Sequence, residues 1–185
     1  MTPVVHYFAI GSNIAPELHV PPVIDAFAGV FGEVMLGRLF RTEPVGVALE
    51  QGATGQQPVN SRFLNACFAV SVEEVALSPE WCAKLGKVME VQHGRPLAQP
   101  DRRHSSRTVD IDYLFSSADD ISAAVAELES YSVLDLDRLL QHFDQPVPEL
   151  LARTETLLVE GAVYQETGIQ PLHFRQQQSI RFLWM

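Results

Sequence analysis

The order of elements up to Phe115 predicts an α+β fold, mainly an antiparallel sheet with helices packed on it. Three observations lead there. Four short runs are rich in β-branched and aromatic residues. Two stretches between them carry apolar residues at helical spacing. The resulting order, β-α-β-β-α-β, is that of a ferredoxin-like sandwich.

Residues 4–10 (VVHYFAI) read as the first strand, and Gly11-Ser12-Asn13 as the turn that ends it. Residues 21–31 place Val23, Ala26, Phe27 and Val30 on one helix face, with Pro21 and Pro22 suited to a first turn. Residues 34–41 read as the second strand. Residues 43–60, rich in Gly, Pro and Gln, read as a long loop. Residues 63–70 (FLNACFAV) read as the third strand. Ser78-Pro79-Glu80 has the form of a helix cap and first turn, and Gly94 ends that helix after His93. A polar, basic loop at 96–106 leads to the fourth strand, residues 108–115 (TVDIDYLF). Beyond it, residues 119–129, 134–142 and 148–153 read as helical, 155–163 as ambiguous and 179–185 (SIRFLWM) as a strand. The chain reads as a single domain, 1–185, with a helical insertion at about 117–170.

The composition excludes several classes. At 185 residues, 46% hydrophobic and 19% charged, the chain suits one soluble domain. No run approaches the ~20 apolar residues of a membrane span. Residues 1–10 lack the basic head and apolar stretch of a signal peptide, so the expected location is cytoplasmic. Cys67 and Cys82 stand among apolar residues without CxxC spacing and read as buried free thiols. The formal net charge of −10 disfavours a general nucleic-acid binder. Yet Arg95, Arg102, Arg103 and Arg107 crowd into one short stretch of a chain with 13 Lys and Arg. Such clustering suits an anionic ligand.

Arg107-Thr-Val-Asp110-Ile-Asp112 is the strongest local signal. On a strand, Asp110 and Asp112 project to one face, about 6.6–7 Å apart. Paired carboxylates on a rigid strand suit Mg2+, which takes its remaining ligands from phosphates and water, and a pair of ions can clamp a transferring phosphoryl group. Alone, such a pair reads as a solvated face. Arg107 beside it adds the cation that a polyphosphate site needs.

Thr42-Glu-Pro44-Val45-Gly46, with Phe63-Leu-Asn65 further on, forms a second signal. Asn65 offers a donor and an acceptor together, matching an amide-like ring edge, and Phe63 can stack on a flat ring. Alone, this is a turn before a strand. Gly11-Ser12-Asn13 lacks the lysine and the spacing of a phosphate-binding Gly-rich loop. His6, His19, His93 and His142 carry no catalytic signal.

Together the segments Tyr7-Phe-Ala-Ile-Gly-Ser-Asn13, Arg41-Thr-Glu-Pro-Val-Gly46, Phe63-Leu-Asn-Ala66, Glu90-Val-Gln-His-Gly-Arg95 and Arg107-Thr-Val-Asp-Ile-Asp112 resemble the 6-hydroxymethyl-7,8-dihydropterin pyrophosphokinase family of folate synthesis. The resemblance runs from residue 4 to about 116. It implies the ferredoxin-like fold and transfer of the β,γ-diphosphate of ATP to the pterin's hydroxymethyl oxygen, releasing AMP. It implies that Asp110 and Asp112 hold two Mg2+ ions, that Arg95 and Arg107 grip phosphates, and that Glu90 lies near the adenosine. It further implies that Thr42, Pro44, Val45 and Gly46 line the pterin pocket, with Asn65 on the ring edge and Phe63 stacked.

The sequence departs from the family pattern in three places. Leu97 stands where a second basic residue is usual. His104-Ser105-Ser106 replaces a common Trp-Gly-Pro, in a loop about two residues longer, where Arg102 and Arg103 are candidates to replace the missing charge. A His-Pro segment expected soon after the fourth strand is read instead at Pro171-Leu-His173-Phe174. On that reading His173 and Arg181 contact phosphate and Phe182 supplies a second stacking ring. Three alternatives follow: a relative without catalysis that binds pterin or nucleotide, a pyrophosphokinase for a modified pterin, and an unrelated ferredoxin-like interaction module.

Overall fold

The computed structural model describes residues 3–42, 62–73, 77–95, 107–152, 160–161 and 172–175. Strand β1 (Val4–Ser12) runs through the middle of one sheet, paired antiparallel with β4 (Phe63–Val72) on one side and β5 (Asp110–Ser116) on the other. Beyond β4 come β2 (Glu33–Leu36) and β7 (Leu172–Arg175), giving the order β5-β1-β4-β2-β7. Strand β3 (Phe40–Thr42) also pairs with β4, and the short β6 (Glu160–Gly161) pairs with β3. The first four strands of that order, with α1 (Pro16–Phe31) and α2 (Pro79–Gln92), make the expected ferredoxin-like α+β fold.

Alternate residues of the strands build two cores. Phe8, Ile10, Leu64, Phe68 and Ile111 face α1 and α2 and meet Val23, Ile24, Phe27 and Met89. Phe8 and Phe68 stack at 5.0 Å between ring centres. Each fully buried ring or branched aliphatic contributes about 1.5–3 kcal/mol. On the opposite face, Tyr7, Met35, Cys67, Ala69 and Phe115 meet Ile121, Val125, Leu136, Leu139 and Leu140. These last residues belong to α3 (Ile121–Ala126) and α4 (Leu136–His142). A short 3-10 helix (Ser130–Ser132) lies between the two, and α5 (Glu149–Ala152) follows. The helices expected after Phe115 therefore form a second layer over the far side of the sheet.

Four local expectations change. Gly11 and Ser12 continue β1, pairing with Asn65 and Leu64, because the chain there lies between two strands and keeps its ladder bonds. Helix α1 starts at Pro16, so Pro21 and Pro22 lie inside it. The buried stripe Val20, Val23, Ile24 and Phe27 begins before the prolines, and its packing outweighs their missing amide bonds. The second strand divides into β2 and β3. The segment Leu172–Arg175 is a strand against β2, while residues 179–185 and most of 155–163 lie outside the described residues. Helix α2 keeps its predicted ends: the Ser78 hydroxyl accepts the Trp81 amide at 3.2 Å, and Gly94 takes φ +88°. Cys67 and Cys82 are buried free thiols.

Candidate active site

Gly11 sits opposite Asn65 on β4 and opposite Asp110 on β5. The three residues form one row across adjacent strands, each step about 4.8 Å. A methyl group on Gly11 would come within 2.8 Å of Asn65 Oδ1, so the glycine keeps the middle of the row open. This row lies on the same sheet face as Tyr7 and Cys67, and Asn65 within it is buried.

On the β4 side, Asn65 Nδ2 donates to Thr42 Oγ1 at 2.7 Å. Thr42 pairs with Phe63 across β3 and β4. The Arg107 guanidinium lies over the Phe63 ring, 5.5 Å from its centre. Thr42, Phe63 and Asn65 thus form one cluster, with an amide, a hydroxyl and an aromatic face. Pro44, Val45 and Gly46 lie outside the described residues, as do Arg102 and Arg103.

On the β5 side, the cations gather around Asp110. One of its oxygens accepts from Arg95 and the other from Arg107. Arg107 is fixed from behind by Asn13: its amide donates to Asn13 Oδ1 at 2.7 Å, and its carbonyl accepts the Asn13 amide at 3.1 Å. The Gly-Ser-Asn segment therefore anchors an arginine. Arg95 pairs with Glu90 Oε2 at 3.0 Å. Glu90 is fully buried, and its other oxygen accepts the Ile111 amide at 2.9 Å and Lys87 Nζ at 2.5 Å.

Lys87 was not visible as a site residue in the sequence. Its ammonium donates to the Ile111 carbonyl at 3.1 Å and stands 3.4 Å from Asp112 Oδ1 and 3.7 Å from Asp110 Oδ1. Among the described residues β5 is an edge strand, and α2 covers the outward amide and carbonyl of Ile111 with one carboxylate and one ammonium. Gly86 permits the approach, since a Cβ there would lie 3.1 Å from the Ile111 carbonyl oxygen. The available signal was Gly86-Lys87 followed by Glu90 at helical spacing.

The two aspartates differ. Burial pushes the Asp110 carboxyl up, but Arg107 and Arg95 outweigh it and hold the group below its ordinary range. Asp112, although half exposed, is raised by partial loss of solvent around it and then by the charge of Asp110, with Lys87 opposing. The Tyr131 hydroxyl is raised by burial, then by Glu129, Asp112 and Asp110. Tyr131 therefore stands within electrostatic reach of the acid pair, carried there by the 3-10 helix. The Cys67 thiol donates to the Ser132 carbonyl at 3.1 Å and ties that helix to β4 two residues past Asn65.

The donor set fits Mg2+. Two carboxylates on one strand face supply hard oxygens, and the Asp112 side chain is 53% exposed. No group of three or more His, Cys, Asp or Glu able to hold an ion occurs among the described residues. An ion that completes its shell with phosphate and water needs no such group.

Of the remaining residues expected at the site, His173 lies on β7, four strands from β5, a separation of roughly 19 Å. Arg181 and Phe182 lie outside the described residues. No helix among the described residues is long and apolar enough to cross a membrane.

No curated protein matches the chain. A family model does, described as 7,8-dihydro-6-hydroxymethylpterin-pyrophosphokinase (HPPK), over residues 7–158. The match takes in the row Asn65–Gly11–Asp110, the cations around it and the helices of the second layer, and it ends before His173. A match over most of the sequence, on a ferredoxin-like sheet, places this chain in the HPPK family.

Proposed function

We propose that the chain transfers the β,γ-diphosphate of ATP to the hydroxymethyl oxygen of 6-hydroxymethyl-7,8-dihydropterin, releasing AMP, as a step of folate biosynthesis. The observation that carries this reading is the row Asn65–Gly11–Asp110. It sets a polar and aromatic cluster across one intervening strand from a carboxylate pair ringed by cations. A pterin on Asn65 and Thr42, with Phe63 against its ring, presents its hydroxymethyl group across Gly11 toward the acid pair.

In the reaction the pterin oxygen bonds to the β-phosphorus of ATP. The bond from that phosphorus to the bridging oxygen breaks, AMP leaves with the oxygen, and the hydroxyl proton passes to solvent. Two magnesium ions on Asp110 and Asp112 would supply charge neutralisation for the triphosphate. Arg95 and Arg107 bind phosphate oxygens and orient the chain in line. Glu90, buried between Arg95 and Lys87, acts as the anchor that aims both cations. Residues 1–185 are read as one domain with the second helical layer part of it.

The test is AMP release from ATP and the pterin alcohol with Mg2+. Asp110→Asn and Asp112→Asn should each lower turnover by about a thousandfold or more. Full activity in both variants overturns the metal site. Pterin binding without AMP formation in the unaltered protein favours instead a relative that binds without catalysis, in which the Arg95 and Arg107 pairs to Asp110 stay closed.

A further inference from the structure

We propose that Asp135, on the second helical layer, clamps the register of β3 and so decides which side chain of that strand faces the substrate. β2 pairs with β4 through Met35 opposite Ala69 and Leu36 opposite Phe68. β3 resumes with Phe40 opposite Asn65, Arg41 opposite Leu64 and Thr42 opposite Phe63. Residues 37–39 therefore span only Ala66 and Cys67 on the partner strand. One residue is extra, which is a β-bulge.

A bulge leaves a backbone group off the ladder. The Gly37 amide still reaches the Cys67 carbonyl at 2.9 Å. The Arg38 amide donates to Asp135 Oδ2 at 2.8 Å. The same carboxylate binds Arg38 Nε at 2.8 Å, its terminal nitrogen at 2.7 Å and Arg138 Nε at 3.1 Å. Its side chain is 2% exposed. Asp135 holds a left-handed backbone, φ 62°, which Asp and Asn tolerate better than most residues. Gly37 fits the bulge because a Cβ there would meet the Cys67 carbonyl oxygen at 3.1 Å and Asp135 Oδ2 at 3.3 Å. The Arg38 guanidinium then caps the Phe40 ring at 5.1 Å, at the first residue of β3.

The register matters because side chains alternate between faces. Removing the extra residue slides β3 by one position and turns every side chain over. Arg41 would then stand opposite Phe63, and Thr42 would leave Asn65. A long cation would replace the hydroxyl on the heterocycle side of the row. The clamp itself is a property of the fold; its effect on the substrate rests on the reading under Proposed function.

Asp135→Asn tests it, since Asn keeps the tolerated backbone but loses the charge that binds two guanidinium groups. Affinity for the pterin alcohol, followed by its own fluorescence, should fall about tenfold or more, with affinity for a non-hydrolysable ATP analogue and Mg2+ kept within about threefold. Unchanged pterin affinity, or equal loss of both ligands, overturns the clamp. Should Asp135→Asn fail to fold, Arg38→Met decides by the same two titrations and the same criteria. If the unaltered protein binds no pterin, the functional reading fails, and the clamp is judged by crosslinking alone. An Arg41→Cys, Phe63→Cys pair should oxidise to a disulfide in the Asp135→Asn background and not with Asp135 present. The same result in both backgrounds overturns it.

Discussion

Gly11 and Asn65 face each other across β1 and β4, and a Cβ on Gly11 would come within 2.8 Å of Oδ1 of the same Asn65 amide that donates to Thr42. Gly11→Ala would push against Asn65 Oδ1, the end of a movable side chain. The stability cost should stay under about 1 kcal/mol. The Thr42 bond should break, and pterin affinity should fall about tenfold. Calorimetry with a pterin titration checks both. Unaltered affinity would show that Asn65 takes no part in binding.

Glu90 is the buried anchor of the cation group. Glu90→Gln can still accept the Ile111 amide but leaves Arg95, 4% exposed, with half its carboxylate partners. Removing one member of a buried pair costs about 3 kcal/mol. Urea denaturation should show that loss, together with weaker nucleotide binding. A loss under about 1 kcal/mol would place the pair with surface ion pairs.

His6 gives the pH dependence. Burial lowers its pKa below the ordinary 6.5, with the Asp119 charge opposing in part. The folded protein takes up a proton on His6 only at lower pH than the unfolded chain does. Stability from this group is therefore complete above the unfolded value and declines as pH falls through it. His6→Gln should flatten the difference in unfolding free energy between neutral and mildly acidic buffer. An identical slope in both proteins would assign that pH dependence elsewhere.

Both thiols are sealed. Burial pushes Cys82 up to about 11, and Cys67 is raised by burial and then by the Asp135 and Asp137 charges. A thiol reagent at mildly alkaline pH should modify neither until denaturant is added. Immediate reaction of either would show that its core opens readily.

The fold was legible because its signals are local. Residues 4–10 read as a strand through their β-branched and aromatic content alone. They lack the alternation of a half-exposed strand, since β1 is buried on both faces by α1 and α2 on one side and α3 and α4 on the other. The acid pair was legible for the same reason: two positions apart on a strand means one face. Asn13 was read as a turn residue because its bond to Arg107 joins positions 94 residues apart. Lys87 looked like an ordinary helix lysine, and only its passage round the edge of β5 brings it to the aspartates. The break between β2 and β3 escaped notice because a single extra residue in a strand leaves no trace in hydrophobic pattern, only in pairing.

The cluster on β5 also has a meaning for encounter with ligand. Among the described residues Lys87, Arg95 and Arg107 are matched one for one by Glu90, Asp110 and Asp112. Such a self-balanced patch, in a molecule of formal charge −10, exerts little long-range pull on a free polyanion. A nucleotide already wearing its own counter-ions meets less resistance, so capture should speed up, not slow down, as background electrolyte is raised.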